Sequence, residues 1–275
     1  MTFKCFSHNG MIKPIEEAVV PLSSIEYSYG FGVYETVRVN ASTLYFLDDH
    51  IGRLIESARI IGLEHSNSAD MIARSARNLI ASTDARAFNL KILIIGGKLA
   101  ADANLYMVCL NPLFPDKRMY RDGVKCVTVQ HERNFPHAKT LSMLGSYLAY
   151  QKARSADAYD ALLVDRAGNI IEGTRTNFFC IKDKTLFSPP EEKILLGVTR
   201  KAVLAVAEKK GFKLWEGDIS LAHLADYDGT FLTSTSSNIM PIRSIDDHTF
   251  GDAPPPLRAL MVVFDRFLDA SKGEM

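Results

Sequence analysis

Tyr29-Gly30-Phe31-Gly32-Val33-Tyr34-Glu35-Thr36-Val37-Arg38-Val39 is the stretch on which the reading of the fold turns. From Val33 onward the residues alternate, so Val33, Glu35, Val37 and Val39 share one face of a strand and Tyr34, Thr36 and Arg38 the other. One face is mostly aliphatic, and the other carries groups able to do chemistry. Toward the N-terminus, residues 3–7 and 11–15 flank His8-Asn9-Gly10, where Asn-Gly tolerates the positive φ of a tight turn, predicting an antiparallel hairpin. Toward the C-terminus, Ile51, Leu54, Ile55, Ala58 and Ile61 recur at helical spacing, with Asp48 as the expected cap and Gly62 as the stop. Arg53 rides near the start of that helix. A second helix over 70–82 precedes apolar strands at 90–95 and 105–110.

Asn111-Pro112-Leu113-Phe114-Pro115-Asp116-Lys117-Arg118 combines two prolines with charge and lacks usable periodicity. It predicts an N-terminal domain over 1–111, a linker over 112–122 and a second domain over 123–275. The second half predicts a strand at 125–130, a helix over 142–156, a strand at 161–165 and, through Arg166-Ala167-Gly168-Asn169, a short hairpin. Leu196-Gly197-Val198-Thr199-Arg200 opens a helix ending near Gly211, and residues 231–238 form a strand running into a hydroxyl-rich loop. Helices and strands mix without a regular βαβ repeat, which makes the class α+β.

The chain has 275 residues and is 47% hydrophobic, enough for one large domain or two modest ones. Lys+Arg 32 balances Asp+Glu 32, so no basic excess points to nucleic acid or an anionic membrane, and a small-molecule partner is expected. No apolar run approaches the roughly 18 residues of a membrane span, and residues 1–5 show no signal-peptide core, so the expected location is cytoplasmic. Cys5, Cys109, Cys126 and Cys180 are widely spaced without C-x-x-C, which predicts buried thiols and no metal site. Asn40-Ala41-Ser42 matches a glycosylation acceptor and is read as chance.

A lone Lys139 in His137-Ala138-Lys139-Thr140-Leu141 reads as a solvated amine. Its company changes that. The order Arg53, Lys139, Glu172-Gly173, Gly197-Val198-Thr199-Arg200 and Ser234-Thr235-Ser236-Ser237 resembles the class IV aminotransferases, pyridoxal-phosphate enzymes that include branched-chain and D-amino-acid aminotransferases and aminodeoxychorismate lyase. The resemblance runs from Phe3 to Phe267 and is densest from Lys139 to Phe178. It implies the fold type IV architecture: a small N-terminal α/β sandwich domain and a larger C-terminal domain with a barrel-like β core.

The resemblance also implies roles. Lys139 becomes the Schiff-base lysine, whose neutral amine condenses with the aldehyde of pyridoxal 5'-phosphate and later moves a proton at the substrate Cα. Glu172 becomes the partner of the pyridine nitrogen. Arg53, in Asp49-His50-Ile51-Gly52-Arg53-Leu54, becomes the phosphate-binding arginine, a type suited by its planar, permanently charged fork. Val198 and Thr199 at a helix start, with Thr235, supply further phosphate donors; for Ser234 and Ser237 a self-satisfied turn is the alternative. Tyr29, Tyr34, Thr36 and Arg38 align with pocket positions, and Ser236 and Ser237 with the substrate side. For the strand residues the alternative is ordinary exposure on an antiparallel sheet.

Transamination between an amino acid, branched-chain-like or similar, and a 2-oxo acid is the favoured reading. Lyase chemistry, eliminating pyruvate to leave 4-aminobenzoate, is the second, because lyases typically carry a threonine at the Thr36 position. A non-catalytic cofactor-binding protein is the third. The D-amino-acid subgroup carries an Arg-x-His pair after the strand that ends here at Ile95, whereas this chain has Gly96-Gly97-Lys98-Leu99-Ala100-Ala101-Asp102. Arg175, three residues after Glu172, is therefore a candidate for the substrate carboxylate, the alternative being an outward-turned partner of a surface acid. The resemblance further implies a homodimer in which the 96–102 loop reaches the partner's site.

Overall fold

The alternation at 33–39 is realised in a computed structural model that describes residues 3–111 and 115–270. The chain divides into two compact units. One comprises Met1–Leu113 with His137–Ser142, and the other comprises Phe114–Pro136 with Met143–Glu274.

The first unit contains β1 (Cys5–His8), β2 (Met11–Pro14), α1 (Ile25–Ser28), β3 (Gly32–Asn40), β4 (Thr43–Leu44), α2 (Leu47–Ile60), α3 (Ala69–Ala81), β5 (Ala87–Ile95) and β6 (Asn104–Leu110). The strands form an antiparallel sheet in the order β2-β1-β6-β5-β3-β4. Val33, Val37 and Val39 turn into a core shared with Leu54, Ile72, Leu79, Leu90, Ile92 and Leu105, so α2 and α3 cover one sheet face. Tyr34, Thr36 and Arg38 stay half-buried on the other. The cap of α2 differs from expectation. Phe46, at φ 56°, precedes the helix without a side-chain bond, and Asp48 and Asp49 lie inside the first turn, where their charge complements the helix dipole.

The second unit contains α4 (Lys117–Asp122), β7 (Val124–Gln130), α5 (Leu144–Ser155), β8 (Asp160–Val164), β9 (Asn169–Gly173), β10 (Asn177–Lys182), β11 (Thr185–Ser188), α6 (Val198–Glu208), β12 (Lys213–Glu216), β13 (Ile219–Ser220), β14 (Gly229–Ser234), β15 (Asn238–Ile245), β16 (His248–Thr249) and α7 (Pro255–Ala270). The path β12-β11-β10-β14-β15-β7-β8-β9-β13 carries one extra pairing, β9 with β10. That pairing turns β10-β14-β15-β7-β8-β9 into a ring, the barrel-like core, filled by Cys126, Leu162, Phe178, Cys180, Leu232 and Met240. The register pair that closes it is Glu172 with Asn177. Three pairings, β7–β8, β15–β7 and β11–β12, are parallel, so this sheet is mixed.

Part of the expected linker is described and part is not. Pro112, Leu113 and Phe114 lie outside the described residues. Residues 117–122 form α4, capped by Asp116, whose carboxylate accepts from Arg118 N at 2.8 Å; six residues are too few to show a period. Of the four thiols, Cys109, Cys126 and Cys180 are buried and Cys5 is partly exposed. No helix among the described residues is long and apolar enough to cross a membrane.

Candidate active site

Glu35 sits on the aliphatic face of β3 and is fully buried, so its charge needs partners at once. α2 supplies them from residues three apart on one face: Arg53 Nε donates to Oε1 at 2.6 Å, Arg53 Nη2 donates to Oε2 at 2.9 Å, and His50 Nδ1 lies 2.7 Å from Oε2. Burial alone would push the Glu35 carboxyl up, but the Arg53 guanidinium and the His50 ring hold it well below the usual carboxylate range. The Nε–Nη2 edge of Arg53 is thus engaged by Glu35, which fixes the plane of the guanidinium.

His137–Ser142 groups with this first unit. It extends along the start of β3: Tyr34 N donates to Lys139 O at 2.9 Å, Leu141 N donates to Gly32 O at 2.9 Å, and Val33 bridges Thr140. Lys139 Nζ stands 4.9 Å from the centroid of the Tyr34 ring, which Lys91 Nζ also approaches at 5.1 Å. Thr36 faces Lys91 across the β3–β5 register. Arg38 lies over the Tyr45 ring at 5.9 Å, and Tyr29, just after α1, is exposed. Tyr34, Thr36, Arg38, Arg53 and Lys139 therefore belong to one unit.

The second unit holds the other candidates. Glu172 is buried near the end of β9, and Arg133 Nε donates to its Oε1 at 2.6 Å while the same guanidinium donates to the Pro136 carbonyl. Glu172 Oε2 accepts from Leu195 N at 3.1 Å, and Asn177 Nδ2 donates to Leu195 O at 2.7 Å. The pair that closes the barrel thus also grips both polar groups of Leu195, two residues before the Gly197 cap of α6. No side chain caps α6, so the first-turn N–H groups of Val198 and Thr199 lack a side-chain partner among the described residues. Gly197 is required there, because a Cβ would fall 2.0 Å from Asn177 Oδ1.

In the 234–237 loop, Ser237 N donates to Ser234 Oγ at 3.2 Å and the two hydroxyls meet at 2.7 Å. Ser237 is fully buried, so Ser234 and Ser237 form the self-satisfied turn; Thr235 and Ser236 remain half-buried. Arg175 is exposed, its guanidinium 4.2 Å from the Tyr150 ring centroid. Its neighbours Thr174 and Thr176 both donate hydroxyls to the fully buried Asp160 carboxylate, which burial pushes up in pKa.

A family model described as amino-transferase class IV matches residues 32–245. The chain belongs to the class IV aminotransferases. It is 32% identical over 260 residues to a D-alanine aminotransferase of Bacillus licheniformis, covering 90% of this chain and 91% of that one. It is 27% identical over 252 residues to a putative branched-chain-amino-acid aminotransferase of Methanocaldococcus jannaschii, with 86% of each covered. A solved branched-chain amino acid aminotransferase from Escherichia coli superposes with a TM-score of 0.84 at 25% identity, over 94% of this chain and 92% of that one. Another branched-chain amino acid aminotransferase, solved with pyridoxamine 5'-phosphate, shares the fold at a TM-score of 0.89 and 22% identity, over 100% of this chain and 96% of that one.

Class IV aminotransferases use pyridoxal phosphate, and this aminotransferase's donor set suits it. The first unit offers a fixed arginine. The second offers a buried carboxylate, a helix N-terminus without a side-chain cap, and Thr233, whose Oγ1 is buried without a partner among the described residues. Glu35, His50, Arg133 and Asn177 enter the site only through the structure. Glu35 was signalled by a charge on an aliphatic strand face, and His50 by its position three before Arg53. Arg133 and Asn177 carry no local signal, since their partners depend on barrel closure.

Proposed function

We propose that this aminotransferase moves the amino group of an amino acid to a 2-oxo acid, with Lys139 as the covalent anchor of pyridoxal phosphate. The observation that supports this most directly is the setting of Lys139: a backbone held against β3, with the amine over Tyr34 on the strand's chemically equipped face. When bound, the cofactor supplies an aldehyde that condenses with amines and a ring that withdraws the electron pair left at the substrate Cα.

The chain's own residues do the rest. Lys139 would provide the anchoring amine and a base able to carry a proton to and from the substrate Cα. Glu172, paired with Arg133, favours a protonated pyridine nitrogen. Arg53 and the start of α6, with Val198, Thr199 and Thr235, hold the phosphate. Tyr34, Thr36, Arg38, Tyr29 and Ser236 line the substrate side, and Arg175 takes the substrate carboxylate in place of the missing Arg-x-His pair. The relatives above are named as aminotransferases, which favours transamination over lyase chemistry. They include D-alanine and branched-chain types, so D-alanine-like and branched-chain donors head the panel. The active form is proposed to be a homodimer.

The experiment mixes the loaded protein with L- and D-amino acids and follows conversion of bound cofactor to its pyridoxamine form, alongside borohydride fixation and peptide mapping. Conversion by at least one class of amino acid, with the fixed label on Lys139, supports the reading. Release of aminobenzoate from aminodeoxychorismate without any conversion overturns it.

A further inference from the structure

We propose that Ser57 is a positioning residue for Lys139, an inference that rests on Lys139 being the anchoring amine. Ser57 is fully buried on α2. A buried helical serine commonly satisfies its hydroxyl on the carbonyl four residues earlier, and Ser57 Oγ donates to Arg53 O at 2.7 Å. That bond uses the hydroxyl proton and leaves the oxygen lone pairs, one of which accepts from Lys139 N at 3.0 Å across 82 positions of sequence.

The other polar group of the Lys139 backbone is also engaged, since Lys139 O accepts from Tyr34 N at 2.9 Å. One bond ties Lys139 to α2 and the other to β3. The Cα from which the amine projects is therefore held from two elements, and the four-carbon stem starts from a fixed point. Ser57 lies one turn after Arg53, and the Arg53 carbonyl is its acceptor. One helical turn, about 5.4 Å long, thus carries both the guanidinium assigned to the phosphate and the hydroxyl that holds the anchoring lysine. Their spacing is set by helix geometry and does not depend on loop conformation.

Ser75 provides a matched control, because it is buried on α3 and back-bonds in the same way, its Oγ donating to Met71 O at 2.8 Å, far in sequence from Lys139. The test compares Ser57→Ala, Ser57→Cys and Ser75→Ala with the parent. Cofactor is removed and restored while the lysine-bound absorption band is followed, and the borohydride-fixed product is mapped. kcat and KM for an amino donor and the thermal midpoint are also measured. Losing a hydrogen bond of ordinary strength should slow attachment and lower kcat about two- to tenfold in Ser57→Ala, with KM unchanged, whereas Ser75→Ala loses comparable thermal stability and attaches at the parental rate. Ser57→Cys keeps the volume but offers a weak acceptor, and should be slowed like Ser57→Ala. Parental attachment in either Ser57 variant, or equal slowing in Ser75→Ala, overturns the inference. A label on another lysine in the parent overturns the assignment of Lys139, and this inference with it.

Discussion

Glu35 and Asp160 are both fully buried carboxylates, one in each unit, and their protonation is driven in opposite directions. Glu35 faces the Arg53 guanidinium and the His50 ring, and its carboxyl is held down despite burial. Asp160 is met by hydroxyls and N–H groups from Thr174, Thr176 and Ala161 and by the charge of Arg175, with no ion pair to it among the described residues; together these do not offset the loss of water, and its carboxyl is pushed up. Burial sets the price of a charge, but the partner decides its sign. Glu35 is therefore held by a paired charge and Asp160 largely by neutral donors, although the second unit also carries a charge pair in Glu172 and Arg133.

The largest test of that contrast is Glu35→Gln. Breaking a buried ion pair by removing one partner leaves the cation uncompensated, so the variant should lose about 3–5 kcal/mol, read by urea unfolding at neutral pH. A loss under about 1 kcal/mol would mean the pair is not closed in solution. Arg53→Ala should weaken pyridoxal phosphate binding by about 10- to 100-fold, the equivalent of a charge-assisted hydrogen bond, measured by cofactor titration; an unchanged Kd returns Arg53 to a purely structural partnership with Glu35.

Arg175→Ala should lower kcat/KM about tenfold for α-carboxylate substrates and spare amines that lack the carboxylate. An equal effect on both kinds of substrate removes Arg175 from the pocket. The smallest effect belongs to Asp160→Asn, which keeps an acceptor for Thr174 and should change stability by no more than about 1 kcal/mol.

The two carboxylates also predict opposite acid limbs. Glu35 has a folded pKa below its unfolded value of about 4.3, so its stabilisation is complete above that value and drains as pH falls toward the folded one. Asp160 has a folded pKa above its unfolded value of about 3.9, so its contribution is complete below that value and is lost as pH rises through the folded one. Unfolding free energies measured from about pH 3 to 7 should therefore flatten on the acid side in Glu35→Gln and steepen in Asp160→Asn. Identical profiles in the two variants would erase the distinction.

What could be read from the sequence follows the same division. The alternation at 33–39 and the spacing of Ile51, Leu54 and Ala58 are local periods, and they foretold β3, α2 and the face that holds Tyr34 and Thr36. β8 and β10 lie in the barrel wall with nearly every residue buried, so they show no alternation that could betray which strands they join. The parallel pairings and the clamp on Leu195 likewise arise only once distant strands meet. Phe46 escaped notice as a cap because a positive φ at a bulky residue has no signal in the letters alone.

The seam between β9 and β10 has a last consequence, for biosynthesis. A chain whose ring has not yet closed lacks both the grip on Leu195 and the settled start of α6, so it cannot assemble the proposed cofactor cradle. Ring closure also removes two open strand edges that would otherwise invite pairing with neighbouring chains. A nascent or misfolded copy would then be catalytically silent, and cofactor capture would report that the barrel is complete.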